Sequence, residues 1–255
     1  MTAFTLKIIA LISMFIDHVG VVFCAVYPEH FHIFIWFRAT GRMAWPIFAI
    51  LLAEGFRHTK SPEQFLMRLL AFALISEIPY DIAMGNNISF VANTNIFNTL
   101  FLGGMAICLY ERLKKKNSHN GIGHTMAFMG AIFPTSVLAE ILTADYGGLG
   151  VLFIFTMYAI SDKPKSLRMA ALGFFALSQF IPLVAVYSLG IAIRPGYLLM
   201  IPFALATVPL IALYNGQRGL DMLGNLRGAS TKWLFYWAYP AHLAVLAVMP
   251  FLFQQ

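Results

Sequence analysis

Residues 5–26 of the chain read TLKIIALISMFIDHVGVVFCAV, an almost unbroken apolar stretch. Its charged side chains are Lys7 and Asp17. A transmembrane helix needs about 20 predominantly apolar residues, and the apolar part of a cleaved signal peptide is usually shorter. The stretch therefore predicts a retained first helix that crosses a lipid bilayer.

The overall composition extends this prediction to the whole chain. Of the 255 residues, 60% are apolar and 11% are charged, whereas soluble domains average about 45–50% apolar and about 25% charged residues. Backbone polar groups inside lipid must be satisfied within the segment that crosses it, so the spans are expected to be helices. We therefore predict an all-α fold, a polytopic integral membrane helical bundle that forms a single transmembrane domain over residues 1–255.

Apolar stretches of the required kind recur along the chain. The short segment His30–Thr40 has one polar, water-facing side, so it is expected to lie at the membrane surface as an interfacial helix. About nine transmembrane helices are predicted, at residues 5–26, 44–57, 65–84, 96–112, 125–143, 148–160, 168–188, 196–214 and 234–253.

The basic residues indicate how these spans are oriented. The net charge is +6, and every lysine falls in one set of alternate loops. The positive-inside rule places those loops and the N-terminus in the cytoplasm. Because topology accounts for the charge, no nucleic-acid partner is expected, and the lipid bilayer is the partner that the composition requires.

Ionisable side chains also occur within the predicted spans, where they are costly and usually functional. Glu77 and Asp81 share a helix face because they are four residues apart. In the predicted topology these side chains share the outer half of the membrane, which predicts one polar cavity open to the outside. The residues expected at that depth are Asp17, His18, Arg42, Glu77, Asp81, Asn98, Glu140 and Asp145.

His18 is the predicted catalytic residue. Imidazole titrates near neutrality, so it can take a proton from an amine or hydroxyl nucleophile during acyl transfer. Asp17 is expected to bind Arg42 or another span rather than His18, because successive side chains point about 100° apart on a helix. Arg42 is expected either to pair with Asp17 or to stabilise negative charge on a carbonyl oxygen.

Other spans supply candidate substrate-binding residues. Glu77 and Asp81 are expected to bind a cationic amine or to counter Arg42, the alternative being simple packing polarity. Tyr239 and His242 are expected to line the same cavity from the last span, although a lone histidine in an apolar helix is equally compatible with a packing role. Nothing has the spacing of metal ligands, so no metal site is predicted.

A second set of candidates lies on the cytoplasmic side. Lys7 and His18 are eleven residues apart, close to three helical turns, and so share a helix face. This spacing is compatible with a groove through which an anionic cytoplasmic donor reaches His18, the alternative being that Lys7 only anchors the helix end. The inner loops offer further phosphate partners or, alternatively, ordinary positive-inside charges: Arg57, Lys60, Arg218 and Arg227.

Four blocks of the sequence resemble the TraX family. They read LKIIALISMFIDH at residues 6–18, GRMAWPIF at 41–48, DYGGLG at 145–150 and YPAHL at 239–243. The blocks occur in the same order across nearly the whole chain. TraX proteins are implicated in N-terminal acetylation of conjugative pilin and resemble the wider superfamily of transmembrane acyltransferases.

The resemblance implies a specific chemistry. Members of that superfamily typically use cytoplasmic acetyl-CoA and a histidine embedded in the membrane, which implies acetyl-CoA as the donor substrate. His18 matches that histidine, and Arg42 matches the arginine of the second block. Asp145 and Tyr146, in the third block, are candidate substrate-binding residues. The implied acceptor is a membrane-inserted pilin or an envelope glycan, and the implied location is the bacterial cytoplasmic (inner) membrane.

Our hypothesis is a membrane-embedded acetyltransferase that moves an acetyl group from cytoplasmic acetyl-CoA to an amine or hydroxyl acceptor. One rival is a proton-coupled membrane transporter, because chains of Asp, Glu and His also relay protons. Many transporters contain internal repeats, and no convincing repeat occurs here. The other rival is a non-catalytic assembly factor for pilus or envelope components.

Overall fold

The computed structural model describes residues 1–116, 121–178, 180–181, 198–219 and 229–253. Every regular element in these ranges is helical, which confirms the predicted all-α membrane bundle. A short 3-10 helix, Pro28–His30, follows the first α-helix. The α-helices are α1 Ala3–Val26, α2 Phe31–Gly41, α3 Ala44–His58, α4 Pro62–Met84, α5 Ile96–Lys116, α6 Gly121–Ile141, α7 Gly147–Ala159, α8 Lys165–Ser178, α9 Met200–Leu205, α10 Thr207–Ala212 and α11 Ala229–Phe253.

Several helices meet the requirements of a membrane span. Within the described ranges, α1, α5 and residues Ile122–Ile141 of α6 are long and apolar enough to cross a bilayer. Shorter apolar segments are Gly147–Ala159, Met200–Ala212 and Trp233–Met249. The chain is therefore a membrane protein. The number of crossings and the side on which the N-terminus lies stay predictions.

The ends of α1 follow from local chemistry. The Thr2 hydroxyl oxygen accepts a hydrogen bond from the backbone N–H of Thr5, which satisfies one of the unpaired donors at the helix start. Tyr27 precedes a proline, and the proline ring disfavours helical backbone in the residue before it. The predicted first span, 5–26, agrees with α1 to within two residues.

The chain divides into two compact units. The first contains Met1–Phe48 and Lys163–Gln255, and the second contains Ala49–Asp162. The prediction of a single domain over residues 1–255 stays a prediction.

In the first unit, α1 and α2 form a closely packed helical hairpin. The Ser13 hydroxyl donates a hydrogen bond to the carbonyl oxygen of Thr40, at 2.6 Å. Two glycines permit the close approach, because a Cβ on Gly20 would overlap Phe37 and a Cβ on Gly41 would overlap the side chain of Asp17. Small residues of this kind allow helix backbones to approach each other inside a membrane.

Gly41→Ala is expected to lower the free energy of unfolding by about 1–3 kcal/mol, because the added methyl group must displace the Asp17 side chain. Gly173→Ala, in α8 of the same unit, is the matched control. Its Cβ would lie 3.9 Å from Val208 Cγ2 and meet no closer atom. Unfolding of both variants in mixed detergent micelles checks the prediction, and an equal effect at the two positions would contradict it.

The last helix packs alongside the first in the same unit. The rings of Phe4 and Phe235 lie 5.8 Å apart, whereas the rings of His18 and His242 lie 5.0 Å apart further along both helices. Because the residue numbers of these contacts rise in both helices, α1 and α11 run in the same direction. An odd number of membrane crossings requires this arrangement when α1 is the first span and α11 is the last.

The second unit is built around α5, which packs against α4, α6 and α7. Two glycines again set the spacing. A Cβ on Gly103 would lie 2.5 Å from Ile154 of α7, and one on Gly104 would lie 2.6 Å from Phe56 of α3. Polar side chains collect at the N-terminal ends of α5 and α7.

One predicted span is broken where a single helix was expected. Residues 196–214 contain α9 and α10, which are separated at Ala206. Pro209 has no N–H to bond the carbonyl oxygen of Leu205, and its ring crowds that oxygen, so the helix breaks there. The preceding predicted span, 168–188, overlaps α8 over residues 168–178, and residues 179 and 182–188 of the span lie outside the described ranges.

Candidate functional site

Two histidines from opposite ends of the sequence meet in the first unit. His18 Nδ1 lies 2.7 Å from His242 Nε2, and the two ring planes are 8° from parallel. Their ring centroids are 5.0 Å apart, which at this N–N distance describes rings hydrogen-bonded edge to edge rather than stacked face on. Tyr239 flanks both rings, with centroids 5.9 Å from His18 and 5.5 Å from His242.

A third atom fixes the direction of the hydrogen bonds in this pair. His242 Nδ1 lies 2.8 Å from the carbonyl oxygen of Ala238, and a carbonyl oxygen only accepts. His242 Nδ1 must therefore carry a proton, which in a neutral ring leaves Nε2 as the acceptor. His18 Nδ1 then donates to that acceptor. A neutral His18 is left with its lone pair on Nε2, the atom that can take a proton from a substrate.

An ion cluster joins Asp17, the residue before His18 on α1, to two arginines of α2 and its C-terminal end. The carboxylate of the buried residue Asp17 binds Arg38 Nη1 at 2.5 Å and lies 3.6 Å from Arg42 Nη2. Arg42 Nε also donates to the carbonyl oxygen of Arg38, at 3.2 Å. The cluster has two positive charges for one negative charge. Such a surplus can stabilise an anion that forms during a reaction.

Lys7 contacts α11, the helix that His18 also contacts. Its Nζ lies 5.2 Å from the ring centroid of Phe235 on α11. Lys7 and His18 thus both face α11, as expected of residues three turns apart. The predicted role of Lys7 in binding the donor stays a prediction.

In the second unit, Glu77 caps the start of α5. It is 1% exposed, and its carboxylate accepts hydrogen bonds from Asn95 Nδ2 at 2.6 Å and from Asn98 Nδ2 at 3.1 Å. The backbone N–H of Asn95 also donates to it, at 3.2 Å. A carboxylate is stabilised at a helix N-terminus by the unpaired N–H groups and the helix dipole. This geometry supports a structural role for Glu77, and the predicted contact with a cationic amine stays a prediction.

Asp81 lies one turn further along α4 and orders the loop that follows. Its Oδ2 accepts a hydrogen bond from the backbone N–H of Ser89, at 2.8 Å. Asp81 Oδ1 is buried and has no hydrogen-bond partner among the described residues. A role in substrate binding stays a prediction for Asp81 as well.

The third sequence block lies at the same end of this unit. Glu140 Oε1 accepts from the backbone N–H of Gly148, at 2.7 Å, and so caps α7 as Glu77 caps α5. The backbone N–H of Asp145 donates to the carbonyl oxygen of Thr94 next to the start of α5, at 3.2 Å. Asp145 is exposed and Tyr146 is half-buried. Their substrate-binding roles stay predictions.

Glu77→Ala is expected to lower the free energy of unfolding by about 2–4 kcal/mol. It leaves the backbone N–H of buried Asn95 and the amide of half-buried Asn98 without an acceptor, whereas Asn95 Nδ2 keeps only its bond to the carbonyl oxygen of Ala73. Glu63→Ala is the matched control on the same helix. Its exposed carboxylate pairs with Arg112 at 2.6 Å, an interaction worth at most about 1 kcal/mol. Unfolding in mixed micelles compares the two, and a Glu77 effect as small as that of Glu63 would refute the capping role.

The predicted phosphate-binding residues are dispersed in the structure. Arg57 donates to Ser161 Oγ and, at 3.4 Å, to the carbonyl oxygen of Tyr158, so it ties α3 to the end of α7. Lys60 and Arg218 are exposed, and Arg227 lies outside the described residues. Binding of the donor by these side chains stays a prediction.

The prediction of one shared cavity joins residues of both units. The first unit brings together His18, His242, Tyr239, Asp17 and Arg42. The second brings together Glu77, Asn98 and Asp81 on α4 and α5. Each group is established by itself, and a single cavity that includes both stays a prediction.

Sequence reasoning missed Arg38 as a site residue, although it is the nearest partner of Asp17. The signal was present, because Arg38 lies one helical turn before Arg42. Among the described residues, no group of three or more His, Cys, Asp or Glu side chains is arranged to hold a metal ion.

Comparison with known proteins agrees with the four sequence blocks. The sequence profile of a family described as "TraX protein" matches residues 3–250. A curated protein of Dichelobacter nodosus, described as "Probable fimbrial assembly protein FimC, serogroup H1", is 27% identical over 96% of this chain and 94% of its own length. No solved structure matches the chain significantly.

Proposed function

The chain belongs to the TraX family, and on that premise we propose that it is a membrane-embedded acetyltransferase that uses acetyl-CoA. The observation that carries the proposal is the directed hydrogen bond from His18 to His242. It leaves a basic lone pair on His18 Nε2, inside a helical membrane protein and next in sequence to a cluster with surplus positive charge.

The proposed reaction needs a base and a stabiliser of negative charge. The acceptor nitrogen forms a bond to the acetyl carbonyl carbon, and the carbon–sulfur bond of the thioester breaks. The proton lost by the nitrogen goes to His18 Nε2 and then to the departing thiolate of coenzyme A. Arg42 and Arg38 stabilise the oxyanion of the tetrahedral intermediate. Transient transfer of the acetyl group to His18 Nε2 is the alternative route, and it uses the same lone pair.

The donor is proposed to enter from the cytoplasm, and the protein to lie in the bacterial inner membrane with its N-terminus inside. Lysines in alternate loops support this orientation. The parallel course of α1 and α11 supports an odd number of spans, whichever side the N-terminus occupies. Lys7 would then lie near the inner mouth, three turns before His18.

The proposed acceptor is the N-terminal amine of a pilin-like subunit. The Dichelobacter nodosus relative is described as a probable fimbrial assembly protein, which supports a role connected with pili. The same description favours a second candidate function, that of a non-catalytic assembly factor. An envelope glycan, with an amine or hydroxyl group, is the other acceptor to compare.

Release of coenzyme A separates these functions. The purified protein in lipid nanodiscs is mixed with acetyl-CoA and a hydrophobic peptide that has a free N-terminal amine, and the free thiol is measured. The acetyltransferase proposal predicts thiol release that requires the peptide and falls to background when its N-terminus is blocked. An assembly factor predicts no release with either peptide. Glucosamine in place of the peptide tests the glycan acceptor.

A further inference from the structure

Hydrogen bonds and ring contacts hold the imidazole of His242 in place. Its Nδ1 is tied to Ala238, one turn earlier on α11, and its Nε2 faces His18. Its ring is held between Tyr239 and Phe15, at centroid distances of 5.5 and 5.9 Å, both edge-on. These contacts leave the ring in one orientation, with one nitrogen available to His18.

We propose that His242 is a positioning residue that holds His18 in the tautomer with its proton on Nδ1. The effect of this tautomer on catalysis rests on the proposed acyl transfer, whereas the tautomer itself does not depend on any activity. A neutral imidazole in water places its proton on either nitrogen. An acceptor fixed 2.7 Å from Nδ1 selects one of the two forms.

The selected form is the one that acyl transfer requires. With the proton on Nδ1, the lone pair of His18 Nε2 is ready to accept a proton. In the other tautomer Nε2 is itself protonated, and it can neither accept a proton nor attack a thioester. In this role His242 acts on the reaction through His18.

Two substitutions at one position separate hydrogen-bond acceptance from packing. In His242→Gln, the side-chain oxygen can accept from His18 Nδ1 while the amide N–H donates to Ala238. In His242→Phe, the ring volume is kept and the acceptor is lost. Phenylalanine leaves part of the His18 population in the unreactive tautomer, so we expect the rate to fall at least in proportion to that part, a several-fold loss, whereas glutamine should lower the rate less. Equal losses in both variants would overturn the proposal.

A spectroscopic measurement makes the test independent of activity. The protein is labelled with ¹⁵N-histidine in proteoliposomes, and the His18 signals are assigned from the spectrum of His18→Asn. The imidazole nitrogen shifts should show a protonated Nδ1 and a bare Nε2 in the wild type and in His242→Gln. His242→Phe should show a mixture of both tautomers.

The two readouts distinguish failure of this inference from failure of the proposed function. A wild-type His18 with its proton on Nε2 would overturn the inference whatever the activity. The expected tautomer together with no release of coenzyme A would preserve the inference and refute the acetyltransferase. If His242→Phe does not fold, the wild-type spectrum and His242→Gln still decide between the outcomes.

Discussion

Replacing His18 by asparagine is expected to lower the rate of acetyl transfer by about 10²–10⁴-fold, the usual contribution of general acid–base catalysis. Asparagine keeps a polar side chain that can still donate to His242, but it has no basic lone pair where His18 Nε2 lies. The rate is measured as release of coenzyme A in the presence of the free-amine peptide.

The matched control for this variant is His124→Asn. His124 is an exposed histidine on α6, in the second unit, so the same substitution changes no contact of the histidine pair. It should retain the full rate. Thermal unfolding of both variants must match the wild type, and a folded His18→Asn protein with the wild-type rate would exclude His18 as the base.

The second large effect is expected from Asp17→Ala. Removal of this carboxylate leaves Arg38 and Arg42 largely buried without their counter-charge, which is expected to cost about 3–5 kcal/mol of the free energy of unfolding. The side chain of Asp17 is 11% exposed and that of Arg38 is 28% exposed, so water screens this pair only weakly. Asp17→Ala should also reduce activity, because the close packing of α1 on α2 depends on the same side chain.

A double-mutant cycle isolates the pairwise interaction of Asp17 with Arg38. The exposed pair Glu63–Arg112 is the matched control, since its N–O distance of 2.6 Å is nearly that of the buried pair, 2.5 Å. The control cycle should give a coupling energy of about 0.2–1 kcal/mol, and the buried cycle should give several times more. Equal coupling energies would mean that burial does not strengthen the Asp17–Arg38 pair.

The helices were largely predictable because their signals are local. Apolar length determined α1, and the predicted and observed starts of the third helix coincide at Ala44. Prolines were harder to interpret. Pro79 and Pro134 lie inside continuous helices. Pro209, in contrast, follows the break between α9 and α10 at Ala206. Neighbouring helices decide whether a freed carbonyl group finds another partner, and a single sequence does not contain that information.

The site was predictable in its residue types and less so in its partners. His18 and Asp17 were identified because ionisable groups within an apolar span are costly. The pairing of His18 with His242 joins residues 224 positions apart, and no local pattern specifies such a contact. Arg38 was missed because it belongs to a helix expected at the membrane surface, where an arginine ordinarily faces water.

The most direct test of acyl transfer at His18 follows the acetyl group itself. Wild-type protein and His18→Asn, in identical nanodiscs, receive acetyl-CoA labelled in the acetyl group together with the free-amine peptide. The label should appear on the peptide's N-terminal nitrogen with the wild type and fall to background with the variant. A folded wild-type protein that leaves the peptide unlabelled, or a variant that labels it equally, would contradict the proposed function.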